Sequence, residues 1–211
     1  MRIVVFGSTG ATGRQVVAQA LDAGHEVTAF LRDPAKAPPA RDGLTIAVGQ
    51  VTSDQAAVTA AVTGADAVVS ALGVERSLRG LRSPGVMAAA APRIVRAMQD
   101  AEVGRLVWLS GLGVGDTMAE VPPLPRLSYR VLRRVYADKA AGEQVLRRSP
   151  LDWTLVYPVM LTNRARTGRY RHGEHLELRG VPTVPRADVA DFMLGRLTAG
   201  DYLRKIAVIA G

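Results

Sequence analysis

Three glycines near the start of the chain are spaced so that they could hold a phosphate group. Gly7, Gly10 and Gly13 follow a short apolar run at residues 3–6 and lead into a helical pattern at 14–23. Glycines permit a tight turn, close approach of the backbone to a ligand, and close packing of helix on strand. The N–H groups and partial positive charge of the helix N-terminus suit a pyrophosphate. The GxxGxxG spacing therefore predicts a dinucleotide-phosphate loop, with an ordinary ligand-free turn as the alternative.

A second candidate for cofactor binding, Arg32, directly follows the next predicted strand. NAD-binding folds usually place a carboxylate there, on the ribose 2′-hydroxyl. A guanidinium instead matches a 2′-phosphate and can bind it bidentately. Asp33 also has a suitable spacing from Gly13, but it precedes Pro34, where a turn or cap role is favoured. We therefore predict NADP(H) as the cofactor, with NAD(H) as the alternative.

The elements that must position these residues alternate between strand and helix along the whole chain. Strands are predicted at residues 3–6, 25–31, 44–48, 66–70, 105–109, 152–157 and 206–209, and helices at about 14–23, 55–62, 84–101, 126–148 and 187–197. Pro92 should kink the third helix or mark a later start. One or two short strands, GRYRHG and HLELRG, are expected within the loops at 161–184. The alternation predicts an α/β fold with a parallel, doubly wound sheet in a single domain, residues 1–211.

In such a sheet the ligand lies outside the carboxyl ends of the strands. The predicted strand exits are residues 7–13, 31–32, 49–51, 71–73, 110–111 and 157–158. The loops expected on the substrate side are 74–83, 111–125 and 159–185.

Composition limits the possible functions. The 211 residues are 48% hydrophobic and 22% charged, which is typical of a globular domain. No cysteine is present, which excludes disulfides, thiol nucleophiles and thiolate metal sites, and no metal site is predicted. A strand beginning at residue 2 leaves no room for a signal peptide, and no apolar run reaches the roughly 18 residues of a membrane span. The expected compartment is the cytoplasm.

The net charge of +8 permits an anionic partner. Arg126, Arg130 and Arg133 recur on one face of the predicted basic helix. A solvated face is favoured over a nucleic-acid surface, because no aromatic stacking platform or helix-turn-helix pattern accompanies the charge. Contacts to the cofactor or to an acidic substrate are the third possibility.

Several segments, taken in order, resemble one family of enzymes. They are GSTGATG at 7–13, FLRDP at 30–34, ADAVVSALG at 65–73, VWLSGLG at 107–113, KAAGE at 139–143, LDWTLVYP at 151–158 and RADVADFM at 186–193. Together they resemble the atypical short-chain dehydrogenase/reductases. Within these the chain looks most like the NAD(P)H-binding group that includes the NmrA-like and the flavin reductase/biliverdin reductase B proteins. The resemblance implies a Rossmann fold, a bound NADP(H), and a substrate placed over the nicotinamide by loops at the carboxyl ends of the strands.

The resemblance also implies roles for individual residues. The implied cofactor-binding residues are Gly7, Ser8, Thr9, Gly10, Ala11, Thr12 and Gly13 at the phosphates, Arg32 at the 2′-phosphate, Gln50 and Val51 beside the adenine, Ala71, Leu72 and Gly73 after the fourth strand, Ser110, Lys139, and Tyr157 and Pro158 at the sixth strand exit. The hydroxyls of Ser8, Thr9 and Thr12 would be donors. Ser110 and Lys139 are the predicted catalytic residues: Ser110 would hydrogen-bond a substrate carbonyl, or else only cap its strand, and Lys139 would hold the nicotinamide ribose.

Two features of the family are missing. The family tyrosine stands four residues before the lysine, where this chain has Val135. Tyr136 is about 100° further around the helix and should face elsewhere, whereas Tyr129 or Tyr157 could approach from another element. Met160 replaces the histidine of the flavin reductase group, and His172 and His175 are predicted to be solvated surface residues.

These departures constrain the reaction. Ordinary carbonyl reduction needs a general acid close to the oxygen that gains charge. Hydride transfer to a flavin, quinone or conjugated tetrapyrrole needs less, because the reduced anion is stable or takes a proton from solvent. Arg76, Arg79 and Arg82 could attract an anionic substrate, or could form a solvated loop. We predict an NADPH-dependent oxidoreductase acting on such a conjugated acceptor.

Two other functions stay open: a non-catalytic NADP(H)-binding sensor, and a sugar-nucleotide or isomerase-type enzyme. The second is weakened by the short C-terminal region, which leaves little room for a substrate domain. We expect a small-molecule substrate and no membrane or nucleic-acid partner. A monomer and a homodimer are both possible, since the apolar segment VMAAAAPRIV could bury against the sheet or against another subunit.

Overall fold

A computed structural model of the chain describes residues 1–73, 85–121 and 132–211. The strands in these ranges are β1 (Arg2–Phe6), β2 (Glu26–Leu31), β3 (Leu44–Val48), β4 (Ala67–Ser70), β5 (Arg105–Leu109), β6 (Asp152–Pro158), β7 (Met160–Thr162), β8 (Arg171–Gly173), β9 (Thr183–Pro185) and β10 (Lys205–Ala210). The α-helices are α1 (Ala11–Asp22), α2 (Gln55–Val62), α3 (Val86–Asp100), α4 (Arg133–Arg148) and α5 (Arg186–Gly195). Short 3₁₀ helices span Pro34–Lys36 and Gly115–Glu120.

The main sheet has the strand order β3-β2-β1-β4-β5-β6-β10-β8. Seven of these strands are parallel, and β8 joins antiparallel to β10. β7 and β9 form a separate two-stranded parallel sheet. The direction of winding reverses between β1 and β4, so the ligand crevice is expected at the carboxyl ends of these two strands. The predicted α/β fold with a doubly wound sheet is confirmed.

The central strands are apolar because helices cover both of their faces. The β1 residues from Ile3 to Phe6 are buried, and so is the whole of β4. Right-handed crossovers place α1 on one face and α2, α3 and α4 on the other. α5 packs against α1, and α3 packs against both α2 and α4. The sheet is therefore a rigid platform that fixes where its carboxyl ends point.

The apolar segment of α3 is buried within the chain itself, since Met87, Ala90 and Ile94 are all inaccessible to solvent. The helix runs from Val86 through Pro92 to Asp100, so the expectation of a later start is wrong. Pro92 is exposed, and the helix tolerates its missing N–H there.

The expected strand HLELRG is also wrong. Leu176 and Leu178 pack against the core without pairing in a strand, and β9 forms instead at Thr183–Pro185, opposite Met160–Thr162. The alternating leucines imitate a strand pattern, but a short strand needs a pairing partner that local sequence does not reveal. GRYRHG overlaps β8, as expected.

Some predictions fall outside the described residues. They are the loop 74–83, the end of the loop 111–125, the start of the basic helix, and the side chains of Arg76, Arg79, Arg82, Arg126, Tyr129 and Arg130. Across the described ranges, no helix combines the length and the apolar character needed to cross a bilayer.

Candidate functional site

The glycine loop after β1 is closely packed on the exit of β4. Gly7 has a φ of +77°, and a Cβ on it would lie 2.6 Å from the carbonyl carbon of Ala71. A Cβ on Gly13 would lie 2.0 Å from the Gly7 carbonyl oxygen, which also accepts the N–H of Gly10 at 3.0 Å. Only glycine fits at positions 7 and 13, because any side chain would collide with backbone.

The loop leads into an uncapped helix. Gly10 is the N-cap residue of α1 and has no side chain that could accept the first N–H groups. Ala11 at the helix start is exposed, Thr9 is half-buried, and Thr12 is buried. The first turn thus offers backbone N–H groups without side-chain acceptors, together with the positive end of the helix dipole. This arrangement fits a pyrophosphate.

Ser8 differs from its expected role. Its buried hydroxyl donates to the Phe30 carbonyl at 2.9 Å, which joins the glycine loop to β2. The expectation that this hydroxyl is a phosphate donor is corrected, because its hydrogen is already committed to the protein. Only the Ser8 backbone N–H can contribute to phosphate binding.

Arg32 is exposed directly after β2, and no described carboxylate forms an ion pair with it. Asp33 accepts the N–H of Ala35 at 3.0 Å and caps the short helix that begins at Pro34, which confirms the expected cap role. The Asp33 carboxylate is therefore engaged locally, whereas the Arg32 guanidinium is free to meet an anion.

The other expected cofactor contacts lie along the same edge. Gln50 follows β3 with an exposed side chain, while Val51 is buried. Ala71 is buried beneath the glycine loop, and Gly73 is exposed. Among these residues, Gln50 has the exposed polar side chain that could reach an adenine.

Ser110 and Lys139, the two predicted catalytic residues, are brought together with two further side chains. Lys139 donates from Nζ to the Ser110 carbonyl oxygen at 2.8 Å. The Ser110 hydroxyl donates to Oε1 of Glu143, and the Tyr157 hydroxyl donates to Oε2 of Glu143 at 2.5 Å. We call Ser110, Lys139, Glu143 and Tyr157 the Ser110 cluster. It joins the carboxyl ends of β5 and β6 to α4.

Burial governs the charges in the Ser110 cluster. Glu143 is only 3% exposed, and this burial raises the pKa of its carboxyl group against the opposing effect of its hydrogen bonds and of Arg147 and Lys139. Burial lowers the pKa of Lys139 to about 8, opposed by Glu143 and Asp138. Burial and the neighbouring Glu143 raise the pKa of the Tyr157 phenol. A buried carboxyl and an ammonium of reduced pKa are typical of sites that hold or move protons.

Asp138 and Gly142, which are not part of the Ser110 cluster, fix α4 against α3. The buried Asp138 carboxylate accepts the N–H groups of Met87 at 3.2 Å and of Ala88 at 2.9 Å, which caps α3. A Cβ on Gly142 would lie 3.0 Å from the Met87 carbonyl oxygen, so the two helices are in close contact there. With 3.6 residues per turn, positions 138 and 142 share one helix face while 139 and 143 share the next.

We expect Asp138→Ala to lower the free energy of unfolding by about 2 kcal/mol, because it leaves one buried and one half-buried N–H group of α3 without an acceptor. Asp138→Asn retains one side-chain oxygen and should lose about half as much. The exposed cap of α2, Asp54, accepts the N–H of Ala57 at 2.9 Å and provides the matched control. Asp54→Ala should cost about 1 kcal/mol. Urea unfolding would measure all three variants, and equal losses for Asp138→Ala and Asp54→Ala would contradict this account.

The residues that replace the family tyrosine and histidine lie where the sequence indicated. Val135 lies half-buried one turn before Lys139, and Tyr136 packs against the core. Met160 is 52% exposed at the start of β7. Tyr157 does approach the site from β6, but its hydroxyl donates its hydrogen bond to Glu143.

Glu143 is the residue whose function the sequence did not reveal. It was visible only as the glutamate that trails Lys139 by four residues, a spacing that places both on one helix face. Nothing local in the sequence shows that this face is buried against Ser110 and Tyr157.

His172 lies elsewhere, at the β8 edge of the sheet. Its Nδ1 is 2.9 Å from the Tyr202 hydroxyl, its ring centroid is 5.0 Å from that of Phe192, and burial lowers its pKa. An open cavity of about 440 Å³ near Tyr202, Asp201 and Lys205 lies at the amino end of β10, the edge opposite the glycine loop. Neither feature belongs to the candidate site.

Comparison with known proteins supports the cofactor assignment at the family level. Residues 7–199 match the model of a family described as NAD(P)H-binding. A curated relative, the photosystem II assembly factor Ycf39 of Synechocystis, is 31% identical over 157 residues, which are 74% of this chain and 44% of that protein. The chain thus spans less than half the length of this relative.

Solved structures of similar fold cover the whole chain. The anaerobillin reductase ChuY from Escherichia coli has a TM-score of 0.82 at 22% identity, covering 99% of this chain and 96% of that one. A short-chain dehydrogenase/reductase from Veillonella parvula in complex with NADP has a TM-score of 0.82 at 21% identity, covering 100% and 94%. These similarities establish the fold.

Proposed function

Because this chain belongs to the NAD(P)H-binding family, we propose that it transfers a hydride from NADPH to a conjugated acceptor such as a flavin or quinone. One observation carries this proposal. Ser110 and Lys139 meet at the carboxyl end of β5, whereas Val135 occupies the place of the proton-donating tyrosine. The site is therefore equipped to bind and orient reactants, and less so to protonate an alkoxide.

The residues present fit a dinucleotide phosphate. The glycine loop leaves backbone N–H groups at the α1 N-terminus, where a Cβ on Gly13 would collide with Gly7. Arg32 has an exposed guanidinium, without an ion-pair partner among the described residues, at the exit of β2, where a 2′-phosphate would lie. These features support NADPH over NADH.

The residues at the other end of the crevice would act on the acceptor and the nicotinamide ribose. When bound, NADPH supplies the hydride. Lys139 would hold the ribose hydroxyls, since its ammonium already lies at the end of β5. Ser110 would orient the acceptor by donating to a carbonyl oxygen. The protein's contribution is then mainly proximity and orientation, which suits an acceptor whose reduced form is a stable anion.

The test is NADPH and NADH oxidation with a panel of flavins, quinones and linear tetrapyrroles. We expect turnover with at least one conjugated acceptor, faster with NADPH, and little with simple aldehydes or ketones. Ser110→Ala should lower kcat about tenfold and leave the NADPH dissociation constant nearly unchanged. Ser149→Ala is the matched control, because the Ser149 hydroxyl only donates to the Leu146 carbonyl at the end of α4.

A second candidate function is a non-catalytic NADP(H) sensor. It is favoured by the hydrogen bonds of the Ser110 cluster, because the serine hydroxyl and the lysine ammonium both donate to acceptors within the protein. Tight NADPH binding without turnover on any member of the panel would favour the sensor over the enzyme.

A further inference from the structure

The hydrogen bonds of Ser110 conflict with its role in the proposed reaction. A serine hydroxyl has a single hydrogen to donate. In this structure that hydrogen is donated to Oε1 of Glu143. Ser110 cannot at the same time donate it to the carbonyl of an acceptor, so its role depends on what Glu143 does.

Glu143 can accept or donate, according to its protonation state. As a carboxylate it accepts from both Ser110 and Tyr157, which is the arrangement observed. As a neutral carboxyl it carries an O–H of its own, which can be donated to the Ser110 oxygen. Tyr157 can still donate to the second carboxyl oxygen. Only in this neutral form is the Ser110 hydrogen released.

We propose that Glu143 is a positioning residue that controls Ser110: the Ser110 hydroxyl becomes available to a bound acceptor only when Glu143 carries a proton. This inference rests on the proposed function, in which Ser110 orients the acceptor. Glu143 is assigned a positioning role because its two carboxyl oxygens are already engaged within the protein, one by Ser110 and the other by Tyr157.

The surroundings of Glu143 set the direction of its control. From β5 and β6 it is faced by Ser110 and Tyr157, and from α4 by Lys139 and by Arg147, whose Nη2 lies 3.8 Å from Oε2. The two cations favour the carboxylate, but Arg147 is substantially exposed and its charge is screened. Burial prevails and raises the pKa of Glu143. The acceptor-binding state is therefore populated at low pH and lost as the pH rises through this pKa.

Glu143→Gln reproduces the protonated state permanently. The amide nitrogen can donate to the Ser110 oxygen, and the amide oxygen can accept from Tyr157. In the wild type we expect kcat to fall with rising pH toward the value of Ser110→Ala, a decrease of about tenfold. In Glu143→Gln this decrease should be absent. Only the decline that follows loss of the Lys139 proton should persist, and it should begin at lower pH than in the wild type, because Glu143 raises the Lys139 pKa.

Tyr157→Phe tests the effect of Glu143 on Ser110 by shifting the pH at which Glu143 loses its proton. The Tyr157 hydrogen bond favours the carboxylate form of Glu143. Its removal should raise the pKa of Glu143 and move the decrease in kcat to higher pH. Glu177→Gln, at an exposed position, is the matched control and should leave the profile unchanged.

The protonation of Glu143 can be measured without turnover. Infrared difference spectra between the wild type and Glu143→Gln should show a protonated carboxyl band that disappears as the pH rises through the raised pKa of Glu143. No such band at any pH would overturn the inference, as would a Glu143→Gln profile identical to that of the wild type. If the band titrates but no acceptor is reduced, the proposed reaction fails. The effect of Glu143 on Ser110 is then tested by measuring the affinity of the NADP⁺-loaded protein for a quinone. This affinity should fall with rising pH in the wild type but not in Glu143→Gln. Equal pH dependence in the two proteins would overturn the inference.

Discussion

Gly13→Ala is expected to abolish NADPH binding and to lower the free energy of unfolding by about 3 kcal/mol. The added Cβ would lie 2.0 Å from the Gly7 carbonyl oxygen, a backbone atom that cannot move without displacing the loop. Overpacking of this kind typically costs about 1–3 kcal/mol, and the rigid neighbour places this site at the upper end. The displaced loop would also withdraw its N–H groups from the pyrophosphate. Urea unfolding and a fluorescence titration with NADPH would measure the two effects.

Substitutions at two other glycines distinguish the effect on stability from the effect on NADPH binding. A Cβ on Gly10 would lie 3.3 Å from the Gly7 oxygen, a tight contact that a shift of a few tenths of an ångström relieves, so Gly10→Ala should cost clearly less stability than Gly13→Ala while still obstructing the phosphate. Gly195, in α5, has no atom within 4 Å of an added Cβ. Gly195→Ala should leave NADPH binding intact and should not lower the free energy of unfolding, because alanine is a better helix former than glycine and this last position of α5 is exposed. A Gly13→Ala protein that unfolded like Gly10→Ala would show that the close contact with Gly7 is not maintained.

Arg32→Ala should weaken NADPH binding about ten- to a hundredfold and leave NADH binding nearly unchanged. A charge-assisted hydrogen bond contributes about 1.5–3 kcal/mol, and NADH lacks the 2′-phosphate that would receive it. The guanidinium has no described ion-pair partner to lose, so the fold should be unaffected. Dissociation constants for both nucleotides at one fixed salt concentration would give the ratio.

Arg41→Ala is the control for net charge, because Arg41 is exposed and pairs with Asp22 on α1. It removes the same positive charge without touching the β2 exit. Equal losses of NADPH and NADH affinity in Arg32→Ala would contradict the 2′-phosphate assignment. A loss in Arg41→Ala as large as that in Arg32→Ala would show that only the overall charge matters.

The geometry of the glycine loop and of the β2 exit could be predicted because its determinants are local in sequence. Gly7 to Gly13 form one turn between adjacent elements, and their spacing alone reflects the close contact later found between Gly7 and Gly13. Asp33 could be assigned a cap role because the following Pro34 restricts the backbone. Arg32 then followed as the side chain free to bind an anion.

The assembly of the Ser110 cluster could be predicted only in part. Ser110 and Lys139 lie 29 positions apart, and their meeting required a resemblance to a family rather than a local pattern. The burial of Glu143 depends on how α4 rests on β5 and β6, a tertiary contact that the sequence does not encode locally. The antiparallel addition of β8 to β10 escaped prediction for the same reason, since pairing partners are chosen across long sequence separations.

The hydrogen bond from the Ser8 hydroxyl to the Phe30 carbonyl has a consequence for the energetics of cofactor binding. It joins the glycine loop to the strand that ends one residue before Arg32. The two places that would receive the pyrophosphate and the 2′-phosphate are thus held at a fixed separation before any ligand arrives. Little conformational entropy is then lost on binding, so more of the phosphate contacts' free energy appears as affinity. The preference for NADPH over NADH would thus depend on Ser8, a buried serine whose side chain touches neither phosphate.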